Sequence, residues 1–232
     1  MNIEKNQAAR MAVEKIQNNS VVGLGSGSTA AIFIRLLAEK VKKEHMNIVC
    51  VATSIKSGEL GSSLGLKVVD IDDVSSIDVT VDGADEVDYD LNGIKGGGAA
   101  LLFEKIVASK SKYNVWIIDS SKFHKKLGNF KLPVEVIKFG SQRIFDCLQE
   151  MGLNPTYRLN DDSTRLLTDS SNYIIDIDIQ HVSDLKSLSN ALENLTGVVE
   201  HGLFINICNE LLIGGLKKDI KRSELDDRLV LN

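Results

Sequence analysis

Four short segments of this chain carry residue types at spacings suited to chemistry on a small anion. The first, Gly23-Leu24-Gly25-Ser26-Gly27-Ser28-Thr29, lies between an apolar run that reads as a strand and a stretch of helical periodicity. Glycines let a backbone bend through positive φ and approach a ligand closely. Ser28 and Thr29 open the helix, where free N–H groups and the helix dipole favour an anion, and the hydroxyls of Ser26, Ser28 and Thr29 add donors. The G-x-G-x-G spacing is not the dinucleotide fingerprint, and without a following lysine it is not a Walker loop. Its plain alternative is a tight turn with a Ser/Thr helix cap.

The second segment, Val81-Asp82-Gly83-Ala84-Asp85-Glu86-Val87-Asp88, follows an apolar strand. It sets carboxylates at the end of a parallel strand where such sheets bind ligands. The D-x-D-x-D-G spacing of a calcium loop is missing. Asp82 and Asp85 lie nearest the strand end and read as site residues, whereas Glu86 and Asp88 read as a solvated turn. The third segment runs from Lys95 through Gly96, Gly97 and Gly98 to Glu104. Successive glycines cost conformational entropy and are tolerated where a side chain would block a ligand or a backbone. Lys95 supplies a cation. Glu104 sits beside Leu101, Leu102 and Phe103, where partial desolvation would raise its pKa toward that of a working base. Spacing alone favours an exposed helix glutamate. The fourth segment, Asp119-Ser120-Ser121-Lys122, ends another strand; Lys122, like Lys5 on the first helix, is either a phosphate-directed cation or a surface lysine. The histidines (His45, His124, His181, His201) show no metal-ligand spacing, and no G-x-S-x-G elbow occurs.

Such segments need a scaffold that brings strand ends together. Periodicity predicts helices over 3–18, 29–43, 57–65 and 99–111, alternating with apolar strands at 20–25, 47–53, 66–71, 77–85 and 114–121. That alternation predicts a parallel sheet covered on both faces. Near Pro133 the texture changes. A connection enters a strand there, followed by a helix over 141–152, strands at 156–160, 164–168 and 173–179 with polar turns between them, and a helix over 184–196. This β-α-β-β-α-β order fits a small ferredoxin-like α+β domain, placed at 129–203, with 1–128 and 204–232 forming the larger domain. The stretches 197–207 and 210–215 read as further strands.

The chain has 232 residues, 43% hydrophobic and 25% charged, which is globular composition for one large domain or two small ones. Its formal charge of −5 provides no global pull toward nucleic acid or anionic lipid. Cys50, Cys147 and Cys208 are too widely spaced for a zinc motif and read as buried thiols of a reducing compartment. No run reaches the ~18 apolar residues of a membrane span, and the first residues lack a signal-peptide core, so a cytoplasmic protein without membrane partners is expected.

Together the segments describe one pocket holding an anion cradle, two aspartates, a lysine and a glutamate. That set suits a small sugar phosphate. Aldose–ketose isomerisation needs a base to move a proton between adjacent carbons and a cation or donor to stabilise the enediolate oxygen, with no redox cofactor, and the pocket so described contains no metal ligands. GLGSGSTA, VDGADEVD, IKGGGAALLFEK and the DSSK…LG…LPVEV run resemble the type A ribose-5-phosphate isomerase family, and the likeness extends to GVVEHGLF. The resemblance implies interconversion of D-ribose 5-phosphate and D-ribulose 5-phosphate in the non-oxidative pentose phosphate pathway. It implies that Glu104 is the proton acceptor, that Asp82 and Asp85 bind sugar hydroxyls and assist ring opening, and that Lys95 supports the enediolate. Ser26, Gly27, Ser28 and Thr29 would hold the phosphate with Lys5 and Lys122, while Gly83, Ala84, Gly96, Gly97 and Gly98 line the substrate. It also implies a Rossmann-like larger domain and a homodimer, in some members a tetramer. The chain departs from relatives at Ile55 and Lys56, at Ser26 where threonine is common, and in the segment around Asn92.

Two rivals remain at this level. A non-catalytic sugar-phosphate sensor would carry a DNA-binding arm, for which a first strand near residue 20 leaves no room. A transferase acting on an acyl-thioester would use Glu104 as a nucleophile.

Overall fold

Near-continuous Val, Ile and Leu runs cannot leave either face of a strand in water, so strands of this kind pair in the middle of a layered sheet and helices close over them. The computed structural model describes residues 2–216 and 218–229. In chain order the elements are α1 (Asn2–Val13), β1 (Val21–Leu24), α2 (Gly27–Glu44), β2 (Val49–Ala52), α3 (Ile55–Ser63), β3 (Val79–Gly83), β4 (Glu86–Val87), β5 (Gly93–Ile94), α4 (Leu101–Lys110) and β6 (Asn114–Asp119). There follow β7 (Leu132–Val136), α5 (Ser141–Glu150), β8 (Thr156–Tyr157), β9 (Tyr173–Ile177), α6 (Leu185–Glu193), β10 (Val198–His201), β11 (Leu203–Phe204), β12 (Glu210–Gly214), β13 (Lys218–Lys221) and α7 (Arg222–Leu229).

The largest sheet has the order β13-β12-β6-β3-β1-β2 and is parallel except for the β12–β13 pair. Period-2 alternation sends Val22, Leu24, Val81 and Ile117 to one face, where Ala8 and Ala12 of α1 and Phe33 and Leu37 of α2 cover them. Trp116, Ile118, Leu211 and Ile213 face the other way and pack with Phe204. An antiparallel sheet, β10-β7-β9-β8, follows the β-α-β-β-α-β path of a ferredoxin-like unit. The amphipathic α5 and α6 lay Ile144, Leu148, Leu188 and Leu192 on Val134, Val136, Ile175 and Ile177. The fold is therefore α/β, a Rossmann-like parallel layer with a smaller α+β unit.

Several elements differ from expectation. The run at 66–71 makes only a bridge, Cys50 to Val68, because Asp70 turns the chain by accepting the Asp72 N–H at 2.9 Å, and a short 3-10 helix follows. The run at 164–168 pairs only at isolated bridges, since turns at Ser163 (φ 66) and Ser171 (φ 61) bend it on both sides. The expected strand over 197–207 is split at Gly202: β10 stays in the four-stranded sheet, while β11 joins β5 and β4 in a small antiparallel sheet, β11-β5-β4. A Cβ at Gly202 would lie 2.3 Å from the Lys95 carbonyl oxygen, so only glycine permits this crossing. The unexpected small sheet links the two larger ones and sets Lys95, the residue after β5, in place.

Candidate active site

Strands β6, β3 and β1 are neighbours and parallel, so their carboxyl ends lie side by side. Each end runs into one of the segments singled out above: Gly25–Thr29 after β1, Gly83–Asp85 after β3, Ser120–Lys122 after β6. The glycine run before α4 closes the remaining side. A cleft of about 110 Å³ results, lined by Ser26, Gly27, Ser28, Thr29, Gly83, Ala84, Asp85, Lys95, Gly96, Gly97, Gly98, Glu104 and Lys122. Asp82 sits beneath this lining, and Lys5 reaches its edge by donating from Nζ to Ser28 Oγ at 2.9 Å.

Lys95 is the centre. It is 1% exposed, with Nζ 2.8 Å from Asp82 Oδ2 and 3.0 Å from Glu104 Oε1, and it donates to the Gly83 carbonyl. The Phe204 ring lies under the ammonium at 5.4 Å from its centroid. The backbone fixes this position: Lys95 N–H donates to the Gly202 carbonyl at 2.9 Å, and Gly202 N–H donates to the Pro133 carbonyl at 2.8 Å. Burial works against the charged form of Lys95, but Asp82 and Glu104 outweigh it and hold the ammonium well above its usual range.

Glu104 is 5% exposed, so the exposed-glutamate alternative is corrected: α4 turns this face toward Lys95 rather than water. Its Oε2 has no hydrogen-bond partner among the described residues. Burial is the largest influence on its carboxyl and exceeds the attraction of Lys95; with Asp82 and Asp85 repelling in the same sense, the pKa is pushed up to about 8. A permanent cation thus sits beside a carboxyl that exchanges its proton near neutrality, with one oxygen free.

The aspartates do structural work as well. Asp82 Oδ1 accepts from the Ser26 N–H at 2.8 Å and the Gly83 N–H at 2.7 Å, tying the serine-rich turn to β3. The approach is so close that a Cβ at Gly25 would meet Asp82 Oδ1 at 2.2 Å and Asp82 Cα at 2.4 Å. Asp85 Oδ2 accepts from the Gly97 N–H at 2.6 Å and so holds the glycine run. Lys122 Nζ donates to the Ala84 carbonyl at 2.7 Å, which directs this lysine to the acidic loop rather than to open solvent.

Glu86 and Asp88 are not a solvated turn. Glu86 is 1% exposed and accepts from the backbone N–H groups of Gly128, Asn129 and Phe130 at 2.9, 3.1 and 3.0 Å. Asp88 accepts from the N–H groups of Asp90 and Asn92. Loop amides without ladder partners need an acceptor, and a carboxylate satisfies several at once.

Other parts of the site escaped sequence reasoning. Ser26 caps α2 without a side-chain cap bond; its Oγ lies 2.7 Å from Thr53 Oγ1 and donates to Ser54 Oγ at 2.8 Å. Ser57 Oγ donates to the Gly25 carbonyl at 2.7 Å. The available signal was Ser54-x-x-Ser57 directly after a strand, a helix cap in which Ser54 accepts the Ser57 N–H. Arg158, the residue after β8, was also missed: Nη1 donates to the carbonyls of Gly96 and Gly97 at 2.7 and 3.0 Å. No spacing signal marks a residue that far along the chain. Among the described residues no group of three or more His, Cys, Asp or Glu side chains is arranged to hold a metal ion, and no helix is long and apolar enough to cross a membrane. The cysteines are free, and burial pushes the thiols of Cys50 and Cys208 up to about 12.

Comparison with known proteins adds independent findings. The family model of ribose 5-phosphate isomerase A (phosphoriboisomerase A) matches residues 49–218. A ribose-5-phosphate isomerase A of Streptococcus agalactiae is 46% identical over 211 residues, covering 91% of this chain and 94% of that protein. A bifunctional ribokinase/ribose-5-phosphate isomerase A of Fructilactobacillus sanfranciscensis is 50% identical over 96% of this chain, which spans 41% of that longer protein. Among solved structures, ribose 5-phosphate isomerase A of Methanocaldococcus jannaschii superposes with a TM-score of 0.89 at 36% identity, covering 94% of this chain and 97% of that one. A D-ribose-5-phosphate isomerase in complex with phospho-erythronic acid superposes with a TM-score of 0.91 at 35% identity, covering 95% of this chain and all of the other. Likeness of this degree along nearly the whole length means that the chain belongs to the ribose 5-phosphate isomerase A family.

Proposed function

We propose that this chain is an aldose–ketose isomerase interconverting D-ribose 5-phosphate and D-ribulose 5-phosphate, with Glu104 as the base. The observation that carries the proposal is the partnerless Glu104 Oε2, buried and lining the cleft, on a carboxyl whose other oxygen is 3.0 Å from the Lys95 ammonium. In the ionised form Glu104 takes the proton from C2 of the open-chain aldose and returns it to C1. The hydroxyl proton moves from O2 to O1, so the electrons stay within the sugar. Lys95, charged across the working range, stabilises the enediolate oxygen while charge develops there. Asp82 and Asp85 assist ring opening and bind hydroxyls. The α2 N-terminus, Ser26–Thr29, takes the phosphate, with Lys5 at its rim and Lys122 across the cleft.

The sheet memberships support dividing the chain into 1–128 with 204–232 and an inserted 129–203. We take the assembly to be a homodimer in the cytoplasm, as the family likeness suggests; sedimentation would read its size. The deciding experiment mixes purified protein with ribose 5-phosphate in EDTA and follows ketose formation. Turnover is expected, and rates at background would end the proposal.

A further inference from the structure

The glycine run Gly96–Gly98 lines the cleft but belongs to no helix or strand. Something must hold it. Among the described residues two side chains anchor it, Asp85 from the loop between β3 and β4 and Arg158 from the residue just after β8. From below, Asp85 accepts the Gly97 N–H at 2.6 Å. From the residue after β8, Arg158 commits one nitrogen to the run: Nη1 donates to both the Gly96 and Gly97 carbonyls. The rest of its guanidinium is fixed by Asp176 of β9, which accepts from Nε at 2.9 Å and pairs with Nη2. Arg158 and Asp176 are largely buried, with side chains 14% and 16% exposed. Such a forked pair has little freedom to swing.

In a planar trans peptide, a carbonyl and the N–H that follows it point in opposite directions. Drawing the Gly97 carbonyl toward Arg158 therefore turns the Gly98 N–H the other way. Gly98 lines the cleft and Arg158 does not. Among the described residues no acceptor takes that N–H. The peptide orientation presented to substrate is thus set by a side chain outside the cleft.

We propose that Arg158, oriented by Asp176, is a positioning residue that presets the Gly96–Gly98 run for the reacting end of the sugar. This rests on the isomerase reading above. The pair also ties the ferredoxin-like unit to the catalytic cleft, which assigns that unit a role in turnover beyond packing.

The test uses the full chain with Arg158→Met, Arg158→Lys and Asp176→Asn. Readouts are kcat and KM for ribose 5-phosphate, inhibition by inorganic phosphate, and inhibition by phospho-erythronic acid, whose carboxylate end reports on the reacting region. For Arg158→Met, kcat is expected to fall about ten- to a hundredfold, the cost of misplaced reacting groups. Phospho-erythronic acid should weaken in proportion, while inhibition by phosphate alone stays within about twofold. Arg158→Lys should recover only part of the loss, because a compact ammonium lacks the planar fork that spans Asp176 on one side and the two carbonyls on the other. The pH midpoint of kcat/KM should not move, since Lys95 and Glu104 are untouched. If Arg158→Met does not fold, Asp176→Asn carries the same expectations at smaller amplitude. Unchanged kcat in the folded variants, or equal weakening of both inhibitors, overturns the proposal. A wild-type protein without turnover would instead overturn the isomerase reading on which it rests.

Discussion

Replacing Glu104 with Gln tests the central geometry through two unrelated observables. Gln keeps the size of the side chain and an oxygen for Lys95, but it holds no titratable proton. General-base contributions are typically 10² to 10⁴, so kcat should fall about a thousandfold. The second observable is stability. In the folded chain Glu104 is pushed from a usual 4.5 up to about 8, chiefly by burial. Between these values the folded state keeps a proton that the unfolded chain has released. Wild-type stability therefore falls with rising pH across this window, by about 1.4 kcal/mol per pH unit from this group. The full span is at most about 5 kcal/mol, because water entry softens the burial penalty once the carboxylate ionises. Glu104→Gln lacks the penalty. Relative to wild type it should be little changed at pH 5 and progressively stabilised toward pH 8. Urea titrations at several pH values read the difference, and the wild-type kcat/KM profile should show its acid limb in the same window. Parallel stability curves for the two proteins, together with an acid limb at ordinary carboxylate values, would refute the reasoning.

Three further outcomes follow from the same site. Lys95→Met removes the ammonium between two buried carboxylates, which should cost about 3–5 kcal/mol of stability in urea unfolding and abolish turnover. Gly25→Ala drives a methyl group into Asp82 and should cost at least about 1–3 kcal/mol while raising KM, as the Ser26 turn is displaced; an unchanged melting temperature would contradict the close approach. Lys5→Ala removes a cation at the rim of the phosphate cradle, so KM should rise severalfold at low salt and the difference should shrink as ionic strength rises, with kcat little altered.

What sequence alone determined was local. Alternating apolar runs imposed the parallel sheet, because no other arrangement hides strands apolar on both faces. Strand-to-loop junctions then marked where chemistry would gather, since parallel strands expose their carboxyl ends together. Asp82 and the Ser26–Thr29 turn were legible for that reason, and Lys95 through the glycine run that follows it. Burial and long-range partners were not. By spacing alone Glu104 favoured an exposed helix residue, and Glu86 read as a solvated one, because a carboxylate looks the same in sequence whether water or a ring of N–H groups surrounds it. Arg158 lies 62 and 61 residues along the chain from the Gly96 and Gly97 carbonyls it binds, and Gly202 is farther still from Lys95. Their roles arise only where β10 leaves one sheet for another and where β9 sets Asp176 beside that guanidinium. The proton affinity of Glu104 is likewise a tertiary property, since it is the balance between lost hydration and a cation that folding alone brings within 3.0 Å.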